Sequence, residues 1–294
     1  MGVVRAGARR QRRPGVIPAA VAGIGAAFFV LPLIGLLYRA PWSDLGRHWR
    51  AASGGTALRL SLQCSLLATL VSLVLGLPLA WILARHRFPG RSLLRALTTL
   101  PMVLPPVVGG VALLSVFGRR GVLGRWLLDV FGIRLPFTTA GAVVAEAFVA
   151  MPFLVLTAEA AFRAGDRRFE EAAATLGATR FVVFRRVTLP LVAPALVAGA
   201  VLTWARALGE FGATITFAGN TAGQTTTLPL AAYDLLNGSE PDGAIVISLV
   251  LLVVSLAVLV ALRDRWIGAG GGGGAAGGEP VPAWRSSVAR RAGR

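Results

Sequence analysis

Residues 166–190 read DRRFEEAAATLGATRFVVFRRVTLP, a partly polar segment between two much more apolar runs. An apolar stripe recurs at helical spacing in its first half: Phe169, Ala172, Ala173 and Leu176. Gly177 is placed to end that helix as a glycine C-cap does. A second short helix follows and should stop near Pro190, because the residue before a proline avoids the helical region. The segment therefore predicts a helix, a glycine elbow and a second helix.

The runs on either side of this segment, and most of the remaining chain, have the composition of membrane spans. Hydrophobic residues make up 55% of the 294 residues, above the share of about half found in soluble domains. A helix needs about 20 mostly apolar residues to cross a bilayer. Six segments satisfy that length: 16–38, 57–84, 99–117, 139–162, 191–212 and 243–262. We predict an all-α integral membrane protein with six transmembrane helices, organised as one domain over 16–265.

The distribution of arginine predicts the orientation. The net charge is +17, and all 30 basic residues are Arg. With the N-terminus in the cytoplasm, 21 Arg residues fall in cytoplasmic segments, seven in outer segments, and Arg59 and Arg206 within spans. The positive-inside rule accounts for this asymmetry, so the basicity does not indicate nucleic acid. We expect both termini in the cytoplasm of a bacterial cell with the chain crossing its inner membrane, and 163–190 as a cytoplasmic loop.

Two terminal tails flank the predicted membrane domain. Residues 1–15 form a basic N-terminal tail on the cytoplasmic side. Residues 266–294 are rich in glycine and end in a basic stretch, a composition typical of a flexible coil. Attraction of that basic stretch to anionic lipid is a secondary possibility.

Several kinds of chemistry are excluded by the residues that the chain lacks. Without lysine there is no phosphate-binding loop of the Walker type, so this chain cannot power itself by the usual Walker mechanism. A single cysteine, Cys64, excludes a disulfide framework and a cysteine-based zinc site. The two histidines, His48 and His86, lie in separate polar segments and offer no catalytic or metal centre. We predict that the chain is not an enzyme and binds no cofactor.

The stretch ARALGEFGAT at 205–214 places two charges at the end of an apolar span. Ionisable groups inside a span are costly and indicate function by default. Arg206 and Glu210 are one helical turn apart, so a pair that only holds helices in register is an equally good interpretation. Uncharged hydrogen-bond donors follow, namely Gly209, Gly212, Thr214, Thr216, Asn220, Thr221, Gln224, Thr225, Thr226 and Thr227. They are compatible with an oxyanion pathway and also with a loop that packs against an external binding protein.

The cytoplasmic segment resembles the EAA loop of bacterial ATP-binding-cassette importer permeases. Glu171, Ala172 and Ala173 are followed after three residues by Gly177, and after nine more by V-x-LP. In that family the first helix of this loop docks on a separate ATPase subunit. The resemblance implies a type I ABC importer permease fold, and a coupling role for residues 167–178, with coupling residues Glu171, Ala172, Ala173, Gly177 and Ala178. The alternative is an amphipathic helix lying on the bilayer surface.

Four further motifs resemble the molybdate importer permeases: TLPMVLPPVVGG at 99–110, FGRRG at 117–121, ARALGEFGATITFAGN at 205–220 and TLPLAAY at 227–233. That resemblance implies a homodimer, two ATPase subunits and an extracytoplasmic molybdate-binding protein. It also implies a pathway or gate near Pro105, Pro106, Arg206, Gly209, Glu210, Gly212 and Thr214. Sulfate and thiosulfate relatives usually carry Tyr and Ser where this chain has Phe211 and Ala213. Tungstate, which is nearly isosteric with molybdate, and sulfate or thiosulfate stay alternative substrates.

Two other classes of membrane protein fit the sequence poorly. A secondary transporter driven by an ion gradient needs intramembrane carboxylates and usually internal repeats. The fourth span offers Glu146 and Glu159 as candidate carboxylates, and no repeat is visible. An intramembrane enzyme needs a nucleophile with its base, or a metal set, within the spans.

Overall fold

The computed structural model describes residues 15–270, with side chains through residue 260, and the regular structure of this range is helical. The predicted basic tail at 1–14 and the tail residues 271–294 lie outside the described residues. Thirteen α-helices follow one another: α1 Val16–Tyr38, α2 Leu45–Ala51, α3 Gly54–Arg85, α4 Arg91–Thr99, α5 Pro106–Phe117, α6 Val122–Phe131, α7 Thr139–Ala164, α8 Arg167–Thr175, α9 Arg180–Val183, α10 Leu189–Leu208, α11 Gly212–Phe217, α12 Leu228–Asn237 and α13 Pro241–Gly270.

Within the described residues, five helical segments are long and apolar enough to cross a membrane: Val16–Tyr38, Gly54–Arg85, Thr139–Ala164, Arg180–Leu208 and Pro241–Val260. The predicted span at 99–117 is not a single straight helix. There the chain forms two helical pieces, Arg91–Met102 and Pro106–Phe117, bent by 117° at a short break. Pro105 is extended, with φ −53° and ψ 130°, because a residue that precedes another proline is driven out of the helical region.

The predicted fifth span at 191–212 is displaced toward the loop at 163–190. The loop's second helix does not stop near Pro190, because α9 continues through a π-helical turn, Phe184–Thr188, into α10. Proline inside a helix clashes with the carbonyl four residues earlier, and a wider turn there relieves that clash. At its other end α10 stops at Leu208, and α11 begins separately at Gly212.

The core of the bundle is formed by α3, α7 and α10. Their contact surfaces carry small residues, which let helix backbones approach closely where lipid supplies no hydrophobic drive between helices. Cys64, Ala68, Ala147 and Ala207 form one fully buried cluster of this kind. A Cβ on Gly199 of α10 would come within 3.0 Å of Thr157 Cβ on α7. These small residues hold α10 directly against α7.

The two terminal helices differ in how they join this core. α1 has no buried residue and touches α13, so its sides are open along its length. α13 packs against α12, and the buried Ile247 joins Ala57, Leu228 and Ala231 in a cluster. Since backbone hydrogen bonding propagates along a helix once it has started, α13 runs on to Gly270, five residues into the segment predicted as a flexible tail.

Candidate coupling surface and translocation pathway

The short helix α8 and its glycine elbow form as the sequence predicts. The Asp166 side chain accepts from the backbone N–H of Arg168 at 2.9 Å and caps the start of α8. At the other end Gly177 has φ +84°. Gly177 N donates to Ala174 O at 3.0 Å, and Ala178 N donates to Ala173 O at 3.1 Å. This is the hydrogen-bond pattern of a Schellman C-cap, so the glycine elbow is confirmed.

The apolar stripe of α8 faces away from the bundle. Phe169 and Leu176 are 58% and 89% exposed, and Phe181 on α9 is 70% exposed. Of the predicted coupling residues, Glu171, Ala172 and Gly177 are exposed, whereas Ala173 and Ala178 are half-buried. Apolar side chains this exposed on a polar loop are typical of a surface that binds another protein.

A cavity of about 810 Å³ lies beside α8, between the end of α3 and α9. Its apolar wall includes Trp81, Phe181 and Phe184, and the Trp81 and Phe184 rings meet edge to face with centroids 6.1 Å apart. Arg85 and Glu170 are among its polar lining residues.

Glu170 connects α8 to the bundle, a role that the sequence analysis missed. Its Oε1 accepts from Arg85 Nη2 at 2.6 Å and from Thr188 Oγ1 at 2.9 Å. The predicted functional glutamate, Glu171, makes no such contact and is exposed. Adjacent helical residues point about 100° apart, so the two neighbouring glutamates point in different directions, although both line this cavity. The spacing alone does not tell which of the two faces inward.

The predicted ion pair beyond α10 is present. Arg206 Nη1 lies 2.6 Å from Glu210 Oε2, with side-chain exposures of 29% and 1%. The second oxygen of Glu210 accepts from the backbone N–H of Ala213 at 2.9 Å, at the start of α11. The carboxylate is therefore fully engaged, whereas the guanidinium keeps an exposed edge.

The start of α5 and the start of α11 are in close contact. A Cβ on Gly212 would lie 2.9 Å from Pro106 Cβ and 3.2 Å from Val107 N. One turn further along α5, a Cβ on Gly110 would lie 2.6 Å from Thr216 Cβ. Pro106 and Gly212, two of the predicted gate residues, are thus brought together. Such contacts leave room only for glycine.

The other predicted pathway residues surround this contact at different depths. Pro105 is exposed at the bend, and Gly209 is exposed at the C-cap of α10. Thr214 on α11 is fully buried, and its hydroxyl has no hydrogen-bond partner among the described atoms. Their roles in a gate stay predictions.

The donor-rich segment after α11 is bonded largely to itself. Asn220 contacts Asp234 of α12, and Thr226 Oγ1 donates to Asn220 Oδ1 at 2.7 Å. Thr139 at the start of α7 donates to Gln224 O at 2.8 Å. These hydroxyl and amide groups hold an ordered loop between α11 and α12.

The two intramembrane carboxylates of α7 have different surroundings. Glu159 is buried and accepts from Arg95 Nη2 of α4 at 2.6 Å and from Arg163 of the next turn. Glu146 is also buried, and its Oε2 has no partner. Within the described range, no three His, Cys, Asp or Glu side chains come together as a metal site.

The coupling surface and the predicted pathway lie at opposite ends of one helix. α10 has 20 residues, which at the α-helical rise corresponds to about 30 Å. Glu170 and Thr188 stand at its start, and Arg206 and Glu210 at its end. α10 therefore connects the region of α8 with the predicted pathway residues.

Comparisons with known proteins extend over most of the chain. Residues 76–269 match the family described as binding-protein-dependent transport system inner membrane component. The molybdenum transport system permease protein ModB of Mycobacterium tuberculosis is 46% identical over 84% of this chain and 92% of its own length. ModB of Escherichia coli is 47% identical over 72% of this chain and 92% of its own length. The sulfate transport system permease protein CysT of E. coli is 39% identical over 80% of this chain and 85% of its own length.

Solved structures show the same fold. A bacterial ABC transporter involved in the import of the acidic polysaccharide alginate matches with a TM-score of 0.68 and 22% identity, over 85% of this chain and 94% of that one. A second alginate transporter structure, in complex with a periplasmic protein, matches with a TM-score of 0.60 and 19% identity, over 82% of this chain and 93% of that one. The likeness supports the predicted type I importer permease fold.

Proposed function

Because the chain belongs to the family of binding-protein-dependent transport system inner membrane components, we propose that it is the permease subunit of an ATP-driven molybdate importer. It is a multi-pass membrane protein and a transport subunit, and ATP hydrolysis is the task of a separate subunit. The observation that carries the proposal is the identity of 46–47% to molybdenum transport permeases over most of the chain.

The choice of anion rests on that identity and on two positions beside the ion pair. The identity to the sulfate permease CysT is lower, at 39%. Phe211 and Ala213 stand where sulfate relatives usually have Tyr and Ser. Tungstate has the same tetrahedral shape and nearly the same size as molybdate, so the permease should accept both.

Mechanistically, the apolar stripe of α8, which faces away from the bundle, is the docking surface for an ATPase subunit. Two copies of the chain would each receive one ATPase, on which ATP and Mg²⁺ are bound. Closure of the ATPase pair would draw the two α8 helices together and open the pathway outward, and hydrolysis would reset it. Coupling through Glu171, Ala172, Ala173, Gly177 and Ala178 agrees with their place on α8 and its C-cap. This mechanism requires α8 and both termini to lie on the cytoplasmic side.

At the outer end, an extracytoplasmic binding protein would release the dianion between the two copies. Glu210 neutralises much of the charge of Arg206, so the anion would meet a guanidinium edge, hydroxyls and backbone N–H groups. A weakly charged path suits transport, because a dense arginine cluster would retain the dianion rather than release it.

The test is uptake of labelled molybdate into liposomes that contain this chain, its ATPase and its binding protein. We expect ATP-dependent uptake that excess tungstate suppresses and that equimolar sulfate leaves intact. Liposomes without the ATPase are the control and should show no uptake. Suppression by equimolar sulfate would instead assign the chain to the sulfate permeases, and uptake driven by an ion gradient without ATP would refute the proposal.

A further inference from the structure

One carboxylate oxygen joins α8 to two membrane helices. Glu170 Oε1 accepts from Arg85 Nη2 at 2.6 Å and from Thr188 Oγ1 at 2.9 Å. Arg85 is the last residue of α3, and Thr188 is the last residue of the π turn that leads directly into α10. Three helical elements therefore meet at a single acceptor.

The contact is largely shielded from water. The side chains of Arg85 and Glu170 are 10% and 24% exposed, and Thr188 is 4% exposed. Trp81 and Phe184 line the same cavity. Charge-assisted hydrogen bonds are shorter and stronger than neutral ones, and partial burial strengthens them further. The link should therefore move as a unit with the backbones that carry it.

The other hydrogen-bonding side chains of the α8 region stay local. Asp166 caps the start of α8, and Thr175 Oγ1 donates to Glu171 O at 2.9 Å within the helix. The apolar residues Phe169 and Leu176 face outward. Among the described residues, Glu170 is thus the α8 side chain whose hydrogen bonds reach α3 and the start of α10.

We infer that Glu170 is the positioning residue through which displacement of α8 is transmitted to the membrane helices α3 and α10. The inference rests on the proposed function for the presence of an ATPase partner, and it is independent of which anion is carried. It assigns different roles to the two adjacent glutamates: Glu171 faces the partner, and Glu170 faces the bundle. Thr188 is well placed to receive the displacement, since a π turn interrupts the regular helical hydrogen bonds just before α10.

The experiment uses the complete complex of permease, ATPase and binding protein in liposomes. Three quantities are measured: basal ATP hydrolysis, its stimulation by the loaded binding protein, and anions imported per ATP. For Glu170→Ala we expect an assembled complex with near-basal hydrolysis, loss of stimulation, and a fall in anions per ATP of about tenfold, within the range of typical coupling energies.

Matched variants separate transmission from folding. Arg85→Ala should reproduce the Glu170→Ala behaviour, whereas Arg87→Ala should match the wild type, because Arg87 is exposed and takes no part in the contact. The double variant Arg85→Glu with Glu170→Arg should restore stimulation and anions per ATP. A hydroxyl both donates and accepts, so Thr188 can accept from the guanidinium in the swapped pair.

Several outcomes would overturn the inference. Glu170→Ala with wild-type anions per ATP would do so, as would a swapped pair that assembles without restoring stimulation. If Glu170→Ala does not assemble, Thr188→Val takes its place, since it removes one contact without stranding a charge; wild-type coupling in that variant refutes the inference. If the wild-type complex imports sulfate rather than molybdate, the substrate proposal fails and the same measurements are made with sulfate.

Discussion

At the scale of single residues, the pair of Arg206 and Glu210 is asymmetric. Glu210 is buried, and both of its oxygens are bound, one by Arg206 and one by the N–H of Ala213. Arg206 is partly exposed and can exchange its partner for water or for an anion. The acid is therefore the fixed member of the pair, and the guanidinium is the member able to respond to a substrate.

This asymmetry predicts different costs for the two neutral variants. Arg206→Gln leaves Glu210 buried without its cation, and breaking a buried pair in this way costs about 3–5 kcal/mol. Glu210→Gln leaves a guanidinium that reaches solvent, and its amide oxygen still accepts from Ala213. We expect a clearly larger drop in Tm for Arg206→Gln, measured by thermal unfolding of the purified protein in detergent. Equal drops would contradict the assignment of Glu210 as the fixed member.

A second prediction concerns the glycine at the contact between α5 and α11. Gly212→Val places side-chain atoms where a Cβ alone would already lie 2.9 Å from Pro106, and overpacking of this kind costs about 1–3 kcal/mol. We expect a lower Tm and impaired uptake. Gly55→Ala is the control, because a Cβ there meets nothing within 4 Å. A Gly212→Val protein as stable as the control would refute the tight contact.

At the scale of elements, the cytoplasmic loop shows where sequence patterns succeed and where they stop. Gly177 could be predicted because a helix end with a following glycine has a local chemical cause. The side to which the apolar stripe of α8 faces could not be predicted from the pattern. Such a stripe usually faces the protein interior, and here it faces away from the bundle. The bend at Pro105 was missed because hydropathy measures how apolar a segment is and carries no information about its direction.

The elbow itself makes a testable prediction. Gly177 has φ +84°, and a Cβ there would meet nothing within 4 Å, so within this chain the strain of a substitution comes from the backbone. A β-branched residue in this left-handed conformation costs about 1–2 kcal/mol, whereas asparagine tolerates it. We expect Gly177→Ile to lose ATP-dependent uptake while the protein still inserts, and Gly177→Asn to retain most of it. Identical uptake by the two variants would argue against a coupling elbow.

At the scale of the whole molecule, the alternation of spans and charged segments predicted the arrangement of the long helices, because length and composition determine which segments cross a bilayer. The packing between helices could not be predicted from the sequence. Contacts such as Glu159 with Arg95, 64 residues apart, depend on how α4 folds back after the end of α3. Nothing in either local segment specifies that approach.

The orientation can be tested with cysteine labelling in intact cells. Cys64, the single cysteine of the chain, is fully buried, so the wild type should resist a membrane-impermeant thiol reagent. Arg87→Cys, at an exposed position on the predicted cytoplasmic side, should react only after the cells are opened. Val122→Cys, at a position 85% exposed on the predicted outer side, should react in intact cells. The reverse pattern would invert the topology.

Because α10 is long, a small tilt at one of its ends becomes a large displacement at the other. Its 20 residues form a lever arm of about 30 Å with its fulcrum beside the π turn, so a tilt of about 10° at one end sweeps the other through about 5 Å. A displacement too small to disturb the packing around Thr188 is thus amplified where Arg206 and Glu210 stand. On the proposed mechanism, a partner that tilts α10 from the side of α8 would therefore displace Arg206 and Glu210 by several ångströms.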